Sequence, residues 1–245
     1  ADGVLVICIG PATRLARYVQ AQPKRYRAEI TLGATSSTDD CDGKIIPTPK
    51  GKPAPEDKLR DTLRRFVGKI KQVPPVHSAV HVAGRRAYKL ARAGKQPQRP
   101  PRPVVIHAVE LVRYEYPTLE IDVRCGSGTY IRSLARDIGT ALGVGGYCSS
   151  LTRMEVGGFY ISDATSLEEL SPARDLISPL AALENHQKVK ASPAIVNRLR
   201  NGNPVELPEG PPGEVAVINE LGQLVAIATI EDDGRTLRPT KVFIS

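Results

Sequence analysis

The spacing of hydrophobic residues changes several times along the chain, and each change predicts a different element. Residues 25–32 (RYRAEITL) alternate, with Tyr26 and every second residue after it on one face, which predicts a half-buried strand. Residues 109–125 contain two more alternating runs, on either side of Pro117 and Thr118. Two such runs around a short turn predict a β-hairpin.

Two segments follow helical spacing instead. Residues 56–68 (EDKLRDTLRRFVG) follow Pro55 and end at a glycine, and residues 129–143 (TYIRSLARDIGTALG) follow a glycine-rich turn. Their predicted buried faces consist of Leu59, Leu63, Phe66 and Val67 in the first helix and Ile131, Leu134, Ala135 and Ile138 in the second. Helices mixed with hairpins indicate an α+β sheet domain.

The character of the chain changes near residue 185. Residues 184–193 (ENHQKVKASP) are polar, which predicts a linker or the entry to a second domain. After them, short apolar runs separated by turn signals, at residues 214–220, 224–230 and 240–245, predict the strands of a small β-barrel. We therefore predict a domain boundary after residue 184.

Positive charge is concentrated in one part of the chain. The 245 residues carry a net charge of +8, yet the 48 residues from Thr62 to Val109 contain no acid and eleven Lys or Arg, so the remainder carries −3. This block is either a solvated basic face or a surface that binds a polyanion. Because a block of one sign repels itself unless something neutralises it, we favour nucleic acid as the partner.

Composition argues against several other classes of protein. No run of 18 apolar residues is present, so no transmembrane helix is predicted. The four cysteines are irregularly spaced without a CxxC pair, which favours free thiols in a reducing compartment. His77 and His81 have helical spacing, but two prolines precede them and no carboxylate is near, so we expect no metal and no cofactor.

Two segments could carry chemistry. The turn Gly126–Gly128 leads into the second helix, whose first amide groups and Arg132 would suit an anion, although an ordinary capped helix explains the pattern equally well. Asp39, Asp40 and Asp42 could act as acid and base or hold a cation, although their spacing favours a turn stabilised by Asx hydrogen bonds. Spacing alone leaves both alternatives open.

Four separate blocks of the chain together form a family pattern. They are ADGVLVICIGPATRLARYVQ, KRYRAEITLGATSSTDDCDGKI, QVPPVHSAVHVAGRRAYKLARAG, and GSGTYIRSLARDIGTALG followed by LTRMEVGGF. In these blocks, and in their order and spacing over residues 1–160, the chain resembles bacterial tRNA pseudouridine synthases of the TruB family. The C-terminal section, with RNGNPV and its final short strands, resembles the family's PUA-like RNA-binding domain.

The resemblance implies an α+β fold, in which a mixed, mainly antiparallel sheet is flanked by helices and followed by a small C-terminal PUA-like β-barrel. The catalytic domain would span residues 1–184, with an RNA-binding thumb insertion at about 74–103. The PUA-like domain would span residues 185–245.

The resemblance also implies roles for individual residues. Tyr26 would stack on the flipped uracil, Arg132 would pair with the nucleophilic aspartate, and Asp40 would belong to the network around them. The residues expected to contact the substrate are Tyr130, Leu151 and, in the thumb, Arg85, Arg86 and Lys89.

The implied activity is isomerisation of uridine 55 in the T-loop of tRNA, by base flipping and covalent aspartate catalysis, with no cofactor and no metal. The family motif GHTGxLDPxATGxLP places the nucleophilic Asp three residues before Ala1, so we expect the chain as given to be inactive. The alternative is a catalytically silent RNA-binding or RNA-remodelling module. The expected partner is the T-stem-loop of tRNA, the expected state a monomer and the expected location the cytoplasm, away from membranes.

Overall fold

The structure, a computed structural model, describes residues 1–48, 52–76, 81–82, 85–86 and 100–243. In chain order the first elements are β1 (Asp2–Gly3), α1 (Ala16–Ala21), β2 (Lys24–Leu32), β3 (Ala34–Ser36), β4 (Ile45–Pro47), α2 (Glu56–Arg64), β5 (Gly68–Gln72), β6 (His81–Val82) and β7 (Arg85–Arg86). The next are β8 (Arg102–Glu115), β9 (Thr118–Cys125), α3 (Ile131–Leu142), β10 (Gly146–Val156) and β11 (Phe159–Tyr160). The last are α4 (Pro172–Asp175), β12 (Gln187–Lys190), α5 (Pro193–Arg200), β13 (Val205–Glu206), β14 (Gly213–Ile218), β15 (Leu224–Ile230) and β16 (Thr236–Val242).

The chain forms two compact units. The first consists of Ala1–Leu5 and Ala21–Asp163, and the second of Val6–Gln20 and Ala164–Ser245. This division differs from the predicted boundary after residue 184. The reason is that the 3-10 turns Gly10–Leu15 and Pro179–Leu183, each of which contains a buried leucine, lie in contact, so both belong to the second unit.

A seven-stranded sheet forms the centre of the first unit, in the order β1-β10-β2-β9-β8-β5, with β11 paired to β10. β1 runs parallel to β10, and the other pairs in this sheet are antiparallel. Helices α2 and α3 both pack against the sheet, and against each other. The predicted α+β fold with a mainly antiparallel sheet is therefore confirmed.

The core of this unit follows the alternation and helical spacing in the sequence. The predicted apolar positions that are buried are Ala28, Ile30, Leu32, Leu59, Leu63, Leu119, Ile121, Val123, Cys125, Ile131, Leu134, Ala135 and Ile138. Val67 is 44% exposed, whereas the helical spacing places it on the buried face of the α2 helix. That prediction is wrong because α2 ends at Arg64, and Val67 lies in the turn before β5.

The second unit contains a five-stranded sheet in the order β12-β14-β15-β16-β13, which fits a PUA-like domain. β12 lies in the segment whose polarity predicts a linker or domain entry, and it pairs in parallel with β14. Because β12 is an edge strand, its lysines remain exposed while Val189 packs against the core, so it lacks the strong apolar signal of a central strand.

Helix α3 touches the beginning of β10 backbone to backbone. A Cβ atom at Gly139 would lie 2.2 Å from the amide nitrogen of Gly146 and 2.3 Å from the carbonyl carbon of Gly145. The Gly139 carbonyl also accepts hydrogen bonds from the amides of Val144 and Gly145, each at 3.0 Å. This contact fixes how closely α3 approaches the sheet.

We predict that Gly139→Ala destabilises the protein by more than about 2 kcal/mol, because a clash with backbone atoms cannot be relieved by turning a side chain. Thr140→Ala is the matched control, since Thr140 is exposed on the same helix and its replacement should change stability by less than about 0.5 kcal/mol. Urea denaturation of both variants measures the difference. Equal stability of the two variants would contradict the close helix–strand contact.

Candidate active site around helix α3

A buried glutamine holds the beginning of α3. Gln72, at the end of β5, is only 1% exposed, and its side chain bridges the backbone of Tyr130. The Tyr130 amide donates to Oε1 of Gln72 at 2.8 Å, and Nε2 of Gln72 donates to the Tyr130 carbonyl at 3.0 Å. The Tyr130 amide is therefore bonded to protein rather than presented to an anion, which was one interpretation of the glycine turn.

The first turn of α3 carries Arg132, which reaches the loop that contains Asp40. Nη1 of Arg132 donates to Oδ2 of Asp40 at 2.5 Å, and the two side chains are 26% and 17% exposed. The other carboxylate oxygen of Asp40 accepts from the Thr38 hydroxyl and from the Asp42 amide, the latter at 3.2 Å. The loop thus contains the Asx-type hydrogen bond that the spacing favours, together with an arginine ion pair that the spacing does not predict.

The surroundings of Asp40 favour its ionised form. Partial burial raises the pKa of the Asp40 carboxyl, but hydrogen bonds from Thr38 and Arg132, together with the charge of Arg132, outweigh burial. The pKa of Asp40 consequently lies below its ordinary value, and the carboxylate is charged at neutral pH.

Strand β10 supports the Asp40 loop at Cys148. The Cys148 amide donates to the carbonyl of Asp39 at 3.0 Å, and Asp40 forms an isolated bridge with Cys148. Burial raises the pKa of the Cys148 thiol to about 12, the charge of Asp40 adds to this, and Arg132 and the Ala1 amino group oppose it. The Cys148 thiol beside the Asp40 loop is therefore neutral at physiological pH.

Most of the chain, including every residue of this site, matches known protein families. Residues 1–131 match the family described as TruB family pseudouridylate synthase (N terminal domain), and residues 132–180 match the tRNA pseudouridylate synthase B C-terminal domain. The chain belongs to the TruB family. Among its relatives, tRNA pseudouridine synthase B of Xanthomonas campestris pv. campestris (strain B100) is 37% identical over 99% of this chain and 81% of the relative. The protein of the same description from Microcystis aeruginosa (strain NIES-843 / IAM M-2473) is 41% identical over 94% of this chain and 78% of the relative.

Solved structures share the fold of this TruB-family chain. The crystal structure of a Cbf5-Nop10-Gar1 complex matches 96% of this chain and 71% of the other chain, with a TM-score of 0.69 and 24% identity. The structure of an H/ACA RNP bound to a substrate RNA containing 2'-deoxyuridine matches 97% of this chain and 71% of the other chain, with a TM-score of 0.68 and 21% identity. At these identities the likeness concerns the fold.

Two further predicted site residues of this TruB-family chain lie on the core-facing side of the sheet. Tyr26 on β2 pairs with Val123 and with Arg153, and Leu151 on β10 pairs with Ala28. Both side chains are partly buried and pack against the hydrophobic core. Burial raises the pKa of the Tyr26 hydroxyl, and a hydrogen bond with Arg153 opposes that rise.

The structure thus brings some of the predicted residues together and leaves others apart. Arg132 and Asp40 are in direct contact, and Tyr130 immediately precedes the helix that carries Arg132. Tyr26 and Leu151 lie further along the sheet, where Tyr26 pairs with β10 five residues beyond Cys148.

The predicted thumb contacts are described only in part. Arg85 and Arg86 form β7, which pairs with β6, and Lys89 lies outside the described residues. The described residues contain no group of three or more His, Cys, Asp or Glu side chains that could hold a metal ion, and His77 is not among those residues. Within the same ranges, no helix has the length and apolarity needed to cross a membrane.

Three side chains that support the site were not identified from the sequence. Arg136 lies one helical turn after Arg132, so its spacing could have revealed it. Gln72 acts on Tyr130 across 58 residues, and Arg153 donates to the carbonyl of Val4 across 149 residues. Such long-range contacts leave no local signal in a single sequence.

We predict that Asp40→Asn lowers the free energy of unfolding by about 2 kcal/mol at pH 7, because a charge-assisted hydrogen bond is weakened. The ionised carboxyl stabilises the fold above its unfolded-state pKa, near 3.8, and this contribution is lost as the pH falls through the lower folded-state pKa. The difference in melting temperature between the parent and Asp40→Asn should therefore be largest near neutral pH and should shrink in acid. Melting curves from pH 3 to pH 8 test this, and a constant difference would contradict it.

Proposed function

We propose that this protein converts uridine 55 in the T-loop of tRNA into pseudouridine. Membership of the TruB family supports an isomerase that acts on RNA, and relatives at 35–41% identity are named tRNA pseudouridine synthase B. The observation that carries the proposal is the Arg132–Asp40 ion pair on the loop that β10 supports at Cys148, on the same strand that pairs with β1.

The beginning of the chain lies where a nucleophile could meet this pair. β1 runs parallel to β10, with Asp2 opposite Thr152, so residues upstream of Ala1 that continue this course approach Cys148 and the Asp40 loop. The family motif places its aspartate three residues upstream of Ala1. Arg132 would hold that carboxylate ionised and oriented, while Asp40 holds Arg132.

The chemistry that these residues would serve is a balanced rearrangement. The uridine is first flipped out of the folded loop, which exposes its C5 atom. The aspartate bonds to C1′ as the bond between C1′ and N1 breaks, the uracil turns, and C5 then bonds to C1′ as the bond to the aspartate breaks and releases the carboxylate. One proton leaves C5 and one is gained at N1, so nothing is oxidised or reduced and no cofactor is required.

Tyr26 would act on the flipped base. Its ring offers a stacking face, and because the pKa of its hydroxyl is raised, this group is a neutral hydrogen-bond donor at physiological pH. Leu151, on the same face of the sheet, would contribute the apolar part of the pocket.

RNA binding would use the basic block around the predicted thumb. Within the described part of this block, Lys69 and Lys71 alternate outward on the edge strand β5, and the exposed Arg102 pairs with Gln72 at its end. Positive charge is therefore exposed to solvent where the chain enters and leaves the insertion at about 74–103. Arg85, Arg86 and Lys89 would extend this charge along the insertion.

The catalytic roles are tested with Arg132→Lys and Tyr26→Phe in a chain that includes the family's aspartate segment upstream of Ala1. Arg132→Lys keeps the charge but removes the planar fork, so the single-turnover rate on a T-stem-loop RNA should fall about 100-fold. Tyr26→Phe keeps the stacking face, so RNA affinity should persist while turnover falls by about the same factor. Melting temperatures should fall less in either variant than in Asp40→Asn, because Arg132→Lys keeps the charge of the ion pair and Tyr26→Phe keeps the packed ring.

The controls separate catalysis from folding. The 245-residue chain alone should bind the RNA without forming pseudouridine, and conversion by it would refute the upstream nucleophile and bring Asp2 into consideration. Normal rates in folded variants, or rates that fall only with melting temperature, would contradict the roles of Arg132 and Tyr26. RNA binding without conversion in the extended chain would favour the silent RNA-binding module.

A separate prediction concerns the basic block. Replacing Arg85, Arg86 and Lys89 by Ala should weaken tRNA binding and flatten the log–log dependence of affinity on salt by about 0.7 to 0.9 for each phosphate that the variant no longer neutralises. Affinities measured between roughly 50 and 200 mM salt provide the test. An unchanged slope would show that these side chains do not contact phosphates. The predicted monomeric state and cytoplasmic location stay predictions.

A further inference from the structure

A second ion pair lies one helical turn beyond the Arg132–Asp40 pair. Nη1 of Arg136 donates to Oδ2 of Asp39 at 2.8 Å, with side-chain exposures of 25% and 11%. Asp39 and Asp40 are adjacent in the loop, and Arg132 and Arg136 are four residues apart on α3. The loop is therefore held to one helix by two parallel charge-assisted contacts.

The backbone of Asp39 makes this double contact possible. Its φ is +64°, in the left-handed region, and it is the one non-glycine residue with positive φ among those that the structure describes. In an extended segment adjacent side chains point to opposite sides. The left-handed turn at Asp39 lets two consecutive carboxylates face the same helix, at a conformational cost that Asp tolerates better than most residues.

Arg136 also holds the point at which β5 leaves the sheet. Its Nη2 donates to the carbonyl of Val73 at 3.1 Å, and its Nε donates to Asp137 at 2.9 Å. The Val73 carbonyl accepts a second hydrogen bond, from the Ser133 hydroxyl, at 2.9 Å. Val73 is the last residue before the predicted thumb insertion, so one guanidinium connects the base of that insertion to the Asp39–Asp40 loop.

We propose that Asp39 and Arg136 are positioning residues for the reaction: they set the orientation of the Arg132–Asp40 pair and tie it to the entry of the RNA-binding insertion. This inference rests on the proposed function. Neither residue needs to touch the nucleotide. Their effect is to fix the carbonyl of Asp39 against Cys148, and with it the direction in which the Asp40 carboxylate meets Arg132.

A planar arginine is required for this arrangement. Arg136 uses three nitrogen atoms in three directions, toward Asp39, Val73 and Asp137. A lysine at this position keeps the charge but offers one nitrogen on a flexible stem, so it cannot hold all three partners in a fixed plane.

The test uses Arg136→Lys, Asp39→Asn and Asp39→Gly in the chain extended upstream of Ala1. Asp39→Gly keeps the left-handed backbone and removes only the carboxylate, and Asp39→Asn keeps the shape and removes only the charge. We expect the single-turnover rate of each variant to fall by about 10- to 100-fold, because a displaced catalytic group is costly even when it remains present. The double variant Asp39→Asn/Arg136→Lys should be no slower than the slower single variant, because both changes break the same ion pair.

Matched controls come from the exposed face of α2. Arg60 pairs with Glu56 and Asp61 pairs with Arg64, all on the surface. Arg60→Lys and Asp61→Asn make the same chemical changes away from the site and should leave the rate within about twofold of the parent, as expected of exposed ion pairs. Melting temperatures of all variants are recorded together with the rates.

Several outcomes would overturn the inference while leaving the proposed function intact. The first is that the parent converts uridine and Asp39→Gly retains the full rate. The second is that the rates fall only in proportion to the melting temperatures. The third is that the rate reductions of the two single variants add strictly in the double variant. If the parent itself forms no pseudouridine, the proposed function fails, and hydrogen exchange of the Cys148 amide then decides the inference. Exchange accelerated at least about tenfold by Arg136→Lys but not by Arg60→Lys would support the positioning role, and equal exchange in both would refute it.

Discussion

The ion pair between Arg132 and Asp40 joins parts of the chain that are 92 residues apart. Two charges that are largely removed from water are stable together only where further hydrogen bonds satisfy their remaining donors and acceptors. Thr38 and the Asp42 amide do this for Asp40, and the apolar stripe of α3 gives Arg132 a rigid support. The pair therefore depends on the loop, the helix and β10 together.

Rigidity around this pair comes from contacts that act from different directions. Gln72 holds the beginning of α3, Gly139 lets the helix meet β10 backbone to backbone, and Cys148 holds the loop from the sheet side. A site that is fixed before substrate arrives needs little reorganisation during the reaction. In the proposed reaction, such preorganisation would orient a carboxylate nucleophile toward one atom of the flipped nucleotide.

Sequence patterns predicted the elements that bury one face. β2 and β9 were identified because alternate residues such as Ile30 and Ile121 are buried, and α3 because Leu134 and Ile138 recur at helical spacing. β12 was missed because an edge strand can keep polar side chains on both faces. The division into two units differs from the predicted boundary after residue 184, because residues 10–15 contact residues 179–183 and no local pattern encodes that contact.

The site itself was less accessible to sequence reasoning than the fold. Spacing alone did not decide whether Asp40 belongs to an Asx turn or to a site for acid/base chemistry or a cation. The role of Arg132 came from a family resemblance rather than from its neighbours in sequence. The partner that Arg132 meets could not be derived, because ion pairs depend on which loops the sheet brings together. Arg136 was not identified either, although a basic residue one turn after Arg132 on the same helix is visible in the sequence.

The discontinuous second unit has a consequence for how the protein is made. Its segment Val6–Gln20 is synthesised before residues 21–163 of the first unit, and the rest of the second unit, from Ala164 onward, is synthesised after them. Leu15 and Tyr18 are buried, and the Tyr18 hydroxyl donates to Glu214, so this partner becomes available only after the first unit has been synthesised. The first unit can fold meanwhile, whereas the second unit is complete only when its two segments have met.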